Sequence, residues 1–139
     1  KKSSMPVQDI QIFKQGPHED YIVFNGPDEQ FISGRLIGAD AGIGGTYGAM
    51  PELYLKLNDL LENTDLEAAK ELQFAVNEII YKLCSAHGNM YAVIKEVLRI
   101  NEDLDIGGVR LPLTNLTEAD KEIAKQAAGM IASAKKLYL

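Results

Sequence analysis

Two short segments limit what this chain can fold into: YIVF at 21–24 and AGIGGTY at 41–47. The first is a continuous apolar run, the pattern of a strand buried on both faces. The second reads as a strand with little side-chain volume, about Ala41 to Tyr47. Between them Asn25-Gly26-Pro27 makes a turn, and Asp28 to Ala39 reads as a helix with Phe31, Ile32, Arg35 and Leu36 in its pattern. Strand, helix and strand in that order imply parallel pairing, because a crossover helix returns the chain in the same direction. One more helix precedes them, Val7 to Lys14, apolar at 7, 10 and 13 and stopped by Gly16-Pro17. A third strand is available only near Lys1 to Ser4. Two or three parallel strands make a poor sheet with open edges, so something that completes the sheet is missing.

The second half reads as helices. Met50 to Asn63 carries Leu53, Leu57, Leu60 and Leu61 on one face, with Pro51 suited to its first turn. Thr64-Asp65-Leu66-Glu67 fits a capping box. The helix it opens runs to about Ala86, with Leu66, Ala69, Leu72, Val76, Ile79 and Leu83 as its buried stripe and Gly88 as its stop. Met90 to Ile100 is the next helix. GGVRLPLTNLTEAD is an extended connection, and Leu116-Thr117 opens a last helix to about Leu137.

Five of the 12 glycines fall between Gly38 and Gly48. A dinucleotide loop needs G-x-G-x-x-G, and here the third position is Tyr47; a P-loop needs a Lys-Ser/Thr pair, and no Lys follows before Lys56. Both nucleotide fingerprints fail. Glycines in a strand then point to a bend or to close approach by another group. Net charge is −6, which disfavours nucleic acid and anionic membrane as partners. The single cysteine, Cys84, excludes an internal disulfide and suits a reducing, cytoplasmic compartment. Cys84 lies on a helical apolar stripe and reads as core. His18 falls in a surface loop and His87 near a helix C-terminus, with no partners at metal-ligand spacing. The start KKSSMPVQD has no apolar segment of a signal peptide and no initiator Met, as expected of a fragment or a processed product.

Three stretches together, KKSSMPVQDIQIF, FNGPDEQFISGRLIGADAGIGGTYGAMPELY, and AVIKEVLRI with GGVRLPLTNLTEAD, resemble the N-acetylneuraminate lyase and dihydrodipicolinate synthase family of Schiff-base aldolases. NG-P-DE and GIGGTYG are closer to the lyase branch. The resemblance covers essentially the whole chain but only the second half of the family's (β/α)₈ barrel. It implies an α/β fold: residues 1–49 as a partial barrel segment with the last two to three strands, and residues 50–139 as the last barrel helix plus a C-terminal three-helix extension. The two form one incomplete domain.

The resemblance also implies a chemistry. A lysine amine attacks the keto carbon of pyruvate or its adduct, and the protonated imine becomes the electron sink for the neighbouring C–C bond. No cofactor or metal is needed. Lys1 matches the Schiff-base position and Ser3 lines the pocket beside it. Gly26, Asp28 and Glu29 contact the hydroxylated tail of a sugar acid, with Asp28 also expected as a helix N-cap. Ile43 packs on the pyruvyl part and Gly45 faces the sugar chain. The usual lyase pattern has serine where Gly45 stands, so a related 2-keto-3-deoxy sugar acid competes with sialic acid as substrate. Tyr47 is expected at the barrel mouth. The implied partners are pyruvate, a sugar acid or aldehyde, the N-terminal half of the barrel, and further copies in an oligomer. Competing readings are a dihydrodipicolinate synthase-type condensation of pyruvate with an aldehyde, and a non-catalytic, self-associating half-barrel.

Overall fold

The computed structural model describes residues 1–16 and 20–139, so His18 and Pro17 lie outside the described residues. Helix α1 (Asp9–Lys14) leads to strand β1 (Phe24–Asn25). A 3-10 turn (Asp28–Gln30) runs into α2 (Phe31–Leu36), followed by strand β2 (Ala41–Gly42) and a second 3-10 turn (Thr46–Gly48). Helices α3 (Pro51–Glu62), α4 (Leu66–Cys84), α5 (Met90–Glu102) and α6 (Glu118–Tyr138) complete the chain. β1 and β2 are parallel, with Phe24 opposite Ala41 and Asn25 opposite Gly42. Lys2 adds one parallel bridge to Asn25 on the other edge of β1.

The strand segment departs from the sequence reading in four places. Tyr21 and Ile22 are 52% and 74% exposed, so only Val23 of the apolar run before Phe24 is buried. The run is therefore not buried on both faces as its apolar spelling implied. The Gly-rich strand stops at Gly42, after which the Ile43 N–H still reaches the Asn25 carbonyl at 2.9 Å. Beyond that the chain leaves the ladder, because the Thr46 N–H is drawn to the Asp28 carboxylate. Asp28 to Ala39 is not one helix but a 3-10 turn and a six-residue helix. Asp28 does not cap that helix, since its side chain is committed to Thr46 instead.

The helical part is close to its sequence pattern. Leu53, Leu57, Leu72, Val76, Leu83, Val93 and Ile131 are at most 1% exposed and share one core with Phe31, Ala49 and Met50. Full burial of such a side chain stabilises by about 1.5–3 kcal/mol. α6 meets this core with Ala124, Ala127, Ala128 and Ala134, small residues that let it lie close to α5 and α4. The cap of α4 is Asp65, which accepts from the Ala68 N–H, and not Thr64, which sits in the left-handed region at φ 59°. Leu66 is exposed, outside the stripe, because the helix begins there on its solvent side. Cys84 is exposed as well, one step past the buried Leu83. At α6 the Thr117–Asp120 capping box does form. Asp120, fully buried, also accepts from the N–H groups of His87 and Gly88 and so ties the α4–α5 turn to the start of α6. These donors hold its carboxyl well below the usual range, the Thr117 N–H contributing most.

Candidate active site

The orientation of the small sheet follows from its pairing. The Lys2 N–H donates to the Phe24 carbonyl and the Gly26 N–H to the Lys2 carbonyl, both at 2.8 Å. Asn25, fully buried, turns its side chain toward α2: a Cβ on Gly34 would fall 2.3 Å from Asn25 Oδ1. Residues opposite one another in a ladder share a face and successive residues alternate. Lys2, only 4% exposed, therefore joins Asn25 and Gly42 on the helix-covered side. Alternation assigns Lys1 with Phe24 and Ala41, and Ser3 with Gly26 and Ile43, to the opposite face. Among the described residues no layer is packed on that face: Lys1 and Ser3 are exposed and Ile43 is 46% exposed. Ser3 Oγ lies directly over Gly26, where a Cβ would come within 2.7 Å of it.

The ends of the strands hold a buried polar chain. Asp28 Oδ2 accepts from the Thr46 N–H at 2.9 Å and from Thr46 Oγ1 at 2.6 Å. Thr46 Oγ1 is also 2.7 Å from the Tyr54 hydroxyl of α3. The threonine proton is used on Asp28, so Tyr54 donates to Thr46. Burial, and then the Asp28 charge, raise the Tyr54 hydroxyl far above its ordinary value, which keeps it a donor. The same two causes raise Tyr47. Asp28 Oδ1 is buried with no partner, in the space over Gly44, where a Cβ would sit 1.3 Å from it. Position 44 tolerates only glycine for this reason.

Of the residues expected at a site, Lys1, Ser3, Gly26 and Ile43 fall on the one open face. Asp28 stands at its end, 7% exposed, and Glu29 beside it is half-buried. Gly45 faces the ring of Tyr91 from α5, and a Cβ there would lie 2.7 Å from the ring and 2.9 Å from its hydroxyl. Tyr47 is not at the mouth of the open face. It is half-buried on the covered side, where a Cβ on Gly42 would touch its hydroxyl at 2.2 Å, and it packs against Phe31 and Tyr54. Thr46, Tyr54, Gln73 and Tyr91 were not foreseen. Only Gln73 leaves a trace in the sequence, as a polar residue within the apolar stripe of α4. A cavity of about 400 Å³ opens between α2, β2 and α3, lined by Phe31, Arg35, Gly42, Tyr47, Asn58 and Glu62 among others. Among the described residues no helix is long and apolar enough to cross a membrane.

This arrangement has close counterparts among known proteins. N-acetylneuraminate lyase of Mediterraneibacter gnavus is 63% identical over all 139 residues, which span 44% of its length. N-acetylneuraminate lyase 2 of Escherichia coli O6:H1 is 33% identical over 80% of this chain and 36% of its own. The solved structure of wild-type sialic acid aldolase from Ruminococcus gnavus matches 100% of the chain and 46% of its own, with TM-score 0.97 and 63% identity. A catalytic lysine mutant of that aldolase matches with TM-score 0.96. The chain thus spans less than half the length of the relatives it matches. The model of the dihydrodipicolinate synthetase family matches residues 1–130. The chain belongs to the dihydrodipicolinate synthetase family.

Proposed function

We propose that these residues are the C-terminal half of a Schiff-base aldolase barrel that cleaves N-acetylneuraminate or a related 2-keto-3-deoxy sugar acid. Residues 1–49 supply its last strands, and residues 50–139 its last barrel helix and a three-helix extension. The observation that carries the reading is the open sheet face: Lys1, Ser3, Gly26 and Ile43 share a side that no element among the described residues covers. In a closed barrel that side is the interior, and the site lies at the C-terminal ends of the strands. The identity with the M. gnavus lyase and the catalytic lysine named for the R. gnavus aldolase support the same assignment.

In this mechanism the neutral Lys1 amine adds to the C2 ketone of the sugar acid. One proton is taken up, water leaves, and a protonated imine forms. The C3–C4 bond breaks, its electron pair moves into the imine to give an enamine, and the C4 hydroxyl proton leaves as an aldehyde forms. Protonation of the enamine at C3 regenerates the protonated imine, and addition of water releases pyruvate and one proton and restores the neutral amine. Ser3 borders the carbonyl end, and Ile43 gives the pyruvyl part an apolar wall. Asp28 and Glu29 accept from the hydroxyls of the departing sugar. The Tyr91 hydroxyl beside Gly45 offers a donor where the lyase branch has a serine.

The N-terminal half of the barrel docks against the free edge of β2 and the cavity beside it, and copies of the finished barrel associate. The isolated 139 residues therefore turn over little or no substrate. The test joins them to the N-terminal half of the M. gnavus lyase and follows pyruvate release from N-acetylneuraminate. Release by the joined barrel and none by the chain alone is the expected result. Condensation of pyruvate with an aldehyde, without cleavage of any sugar acid, would favour the synthase reading instead.

A further inference from the structure

We propose that Gln73 and Asn77 of α4 are positioning residues that hold the Asp28–Glu29 turn in register with the open face. The inference rests on the aldolase reading above and extends it to residues outside the strand segment. The turn is intrinsically weak. It is a three-residue 3-10 element with no side-chain cap, preceded by Pro27, which has no N–H to offer. Thr46 fixes one oxygen of the Asp28 carboxylate, and the turn's local bonds are short-range ones, from the Gln30 N–H and the Asn25 side chain to the Pro27 carbonyl and from the Phe31 N–H to the Asp28 carbonyl.

α4 provides long-range support from behind. Gln73 is 6% exposed and stands between Leu72 and Val76 on a stripe that is otherwise apolar. Its Oε1 accepts from the Ile32 N–H at 3.1 Å, and its Nε2 donates to the Asp28 carbonyl at 3.3 Å. The same Nε2 donates to Asn77 Oδ1 at 2.8 Å, and Asn77 Nδ2 reaches the Glu29 carbonyl at 3.4 Å. One amide pair thus spans the turn from Asp28 to Ile32 across more than forty residues of sequence. A leucine at 73 would serve the core without desolvating an amide, so packing gives no reason for glutamine here. The reason is geometric: the two carboxylates expected to meet the sugar tail are carried on this turn, and misplacement by an ångström weakens a recognition contact.

The test uses the joined barrel described above, with Q73L as the near-isosteric variant and N77A as the milder one. Three quantities are read: KM for the sugar acid, kcat, and the rate of borohydride trapping with pyruvate alone. Pyruvate does not reach the turn, so trapping reports the lysine end by itself. The expected result for Q73L is a five- to twentyfold rise in KM for the sugar acid, with trapping within twofold of wild type. N77A raises KM two- to fourfold and, being partly exposed, keeps the fold if Q73L does not. Unchanged KM in both variants overturns the proposal. So does a loss of trapping in step with the loss of cleavage, which marks a structural role. A folded wild-type barrel that traps no pyruvate overturns the aldolase reading itself, and is told apart because it involves no substitution.

Discussion

The first 49 residues and the remaining 90 solve different problems. The helical part closes its own core: α3 to α6 bury leucines, isoleucines, valines and a row of alanines against one another. Among the described residues the strand segment sends Phe31 and Ala49 into that core and forms a small separate cluster of Ile10, Val23 and Ala39, with Val7 and Ile37 at its border. Its apolar side chains are spread outward, with Ile12, Phe13, Tyr21, Ile22 and Ile43 all substantially exposed. Stability therefore resides in the helices, while the chemistry proposed here resides on the strands. They are joined where Phe31 enters the helical core, where Tyr54 bonds Thr46, and where Gln73 holds the Asp28 turn.

The contrast is tested most severely by shortening a helical core residue. Leu72→Ala should cost about 2–5 kcal/mol of global stability, read as a drop in the urea midpoint, because α4 is packed on both sides and the cavity cannot collapse. Hydrogen exchange should separate the two parts in the unsubstituted chain. Amides of α4 and α6 should exchange only by global unfolding, and those of residues 21–26 by local opening. Equal protection in both would mean that the two parts open as one unit.

The joint gives the next largest effect. Thr46→Val keeps the shape but leaves the Asp28 carboxylate and the Tyr54 hydroxyl short of a partner in a buried place, at a cost of about 1–3 kcal/mol. Acid should then discriminate the parts without any substitution. The Asp120 carboxyl is depressed in the folded chain by its N–H donors, so its contribution is complete above the unfolded carboxylate value of about 3.9. That contribution is lost as pH falls below this value toward the folded one. Asp40 in the strand segment behaves alike, depressed by the Val23 N–H and by Lys14. Stability measured from pH 5 down to pH 2 should fall, and Asp120→Asn should flatten part of that fall in the helical half. The smallest effect is expected at Lys135, which pairs with Glu52 and Glu102 at the surface: Lys135→Ala should change stability by under about 1 kcal/mol.

Much of this division could be read from the residues. The stripes of α3 and α4 and the cap of α6 follow from local periodicity and local hydrogen bonding, which depend on neighbours a few positions away. The strand segment resisted the same approach because its conformation is set at long range. The Gly-rich run is shortened by a carboxylate 18 residues earlier, and Asp28 forsakes a helix cap for that partner. YIVF also defeats a burial argument, since Tyr21 and Ile22 are exposed and Val23 is buried. Lys1, Ser3, Gly26 and Ile43 were reached by resemblance, and strand alternation then puts them on one side. Gln73 and Tyr91 come from helices far along the chain, and nothing in a single sequence joins them to positions 28 and 45.

Lys1, on the open face, is the nucleophile of the proposed mechanism, whereas its neighbour Lys2 is enclosed on the helix side with its amine short of a partner. Borohydride trapping of the joined barrel with pyruvate, followed by peptide mapping, tests this assignment directly. One adduct is expected, on Lys1 Nζ, that survives Lys2→Met and disappears with Lys1→Met. An adduct on Lys2, or one that persists without Lys1, would overturn the assignment of Lys1.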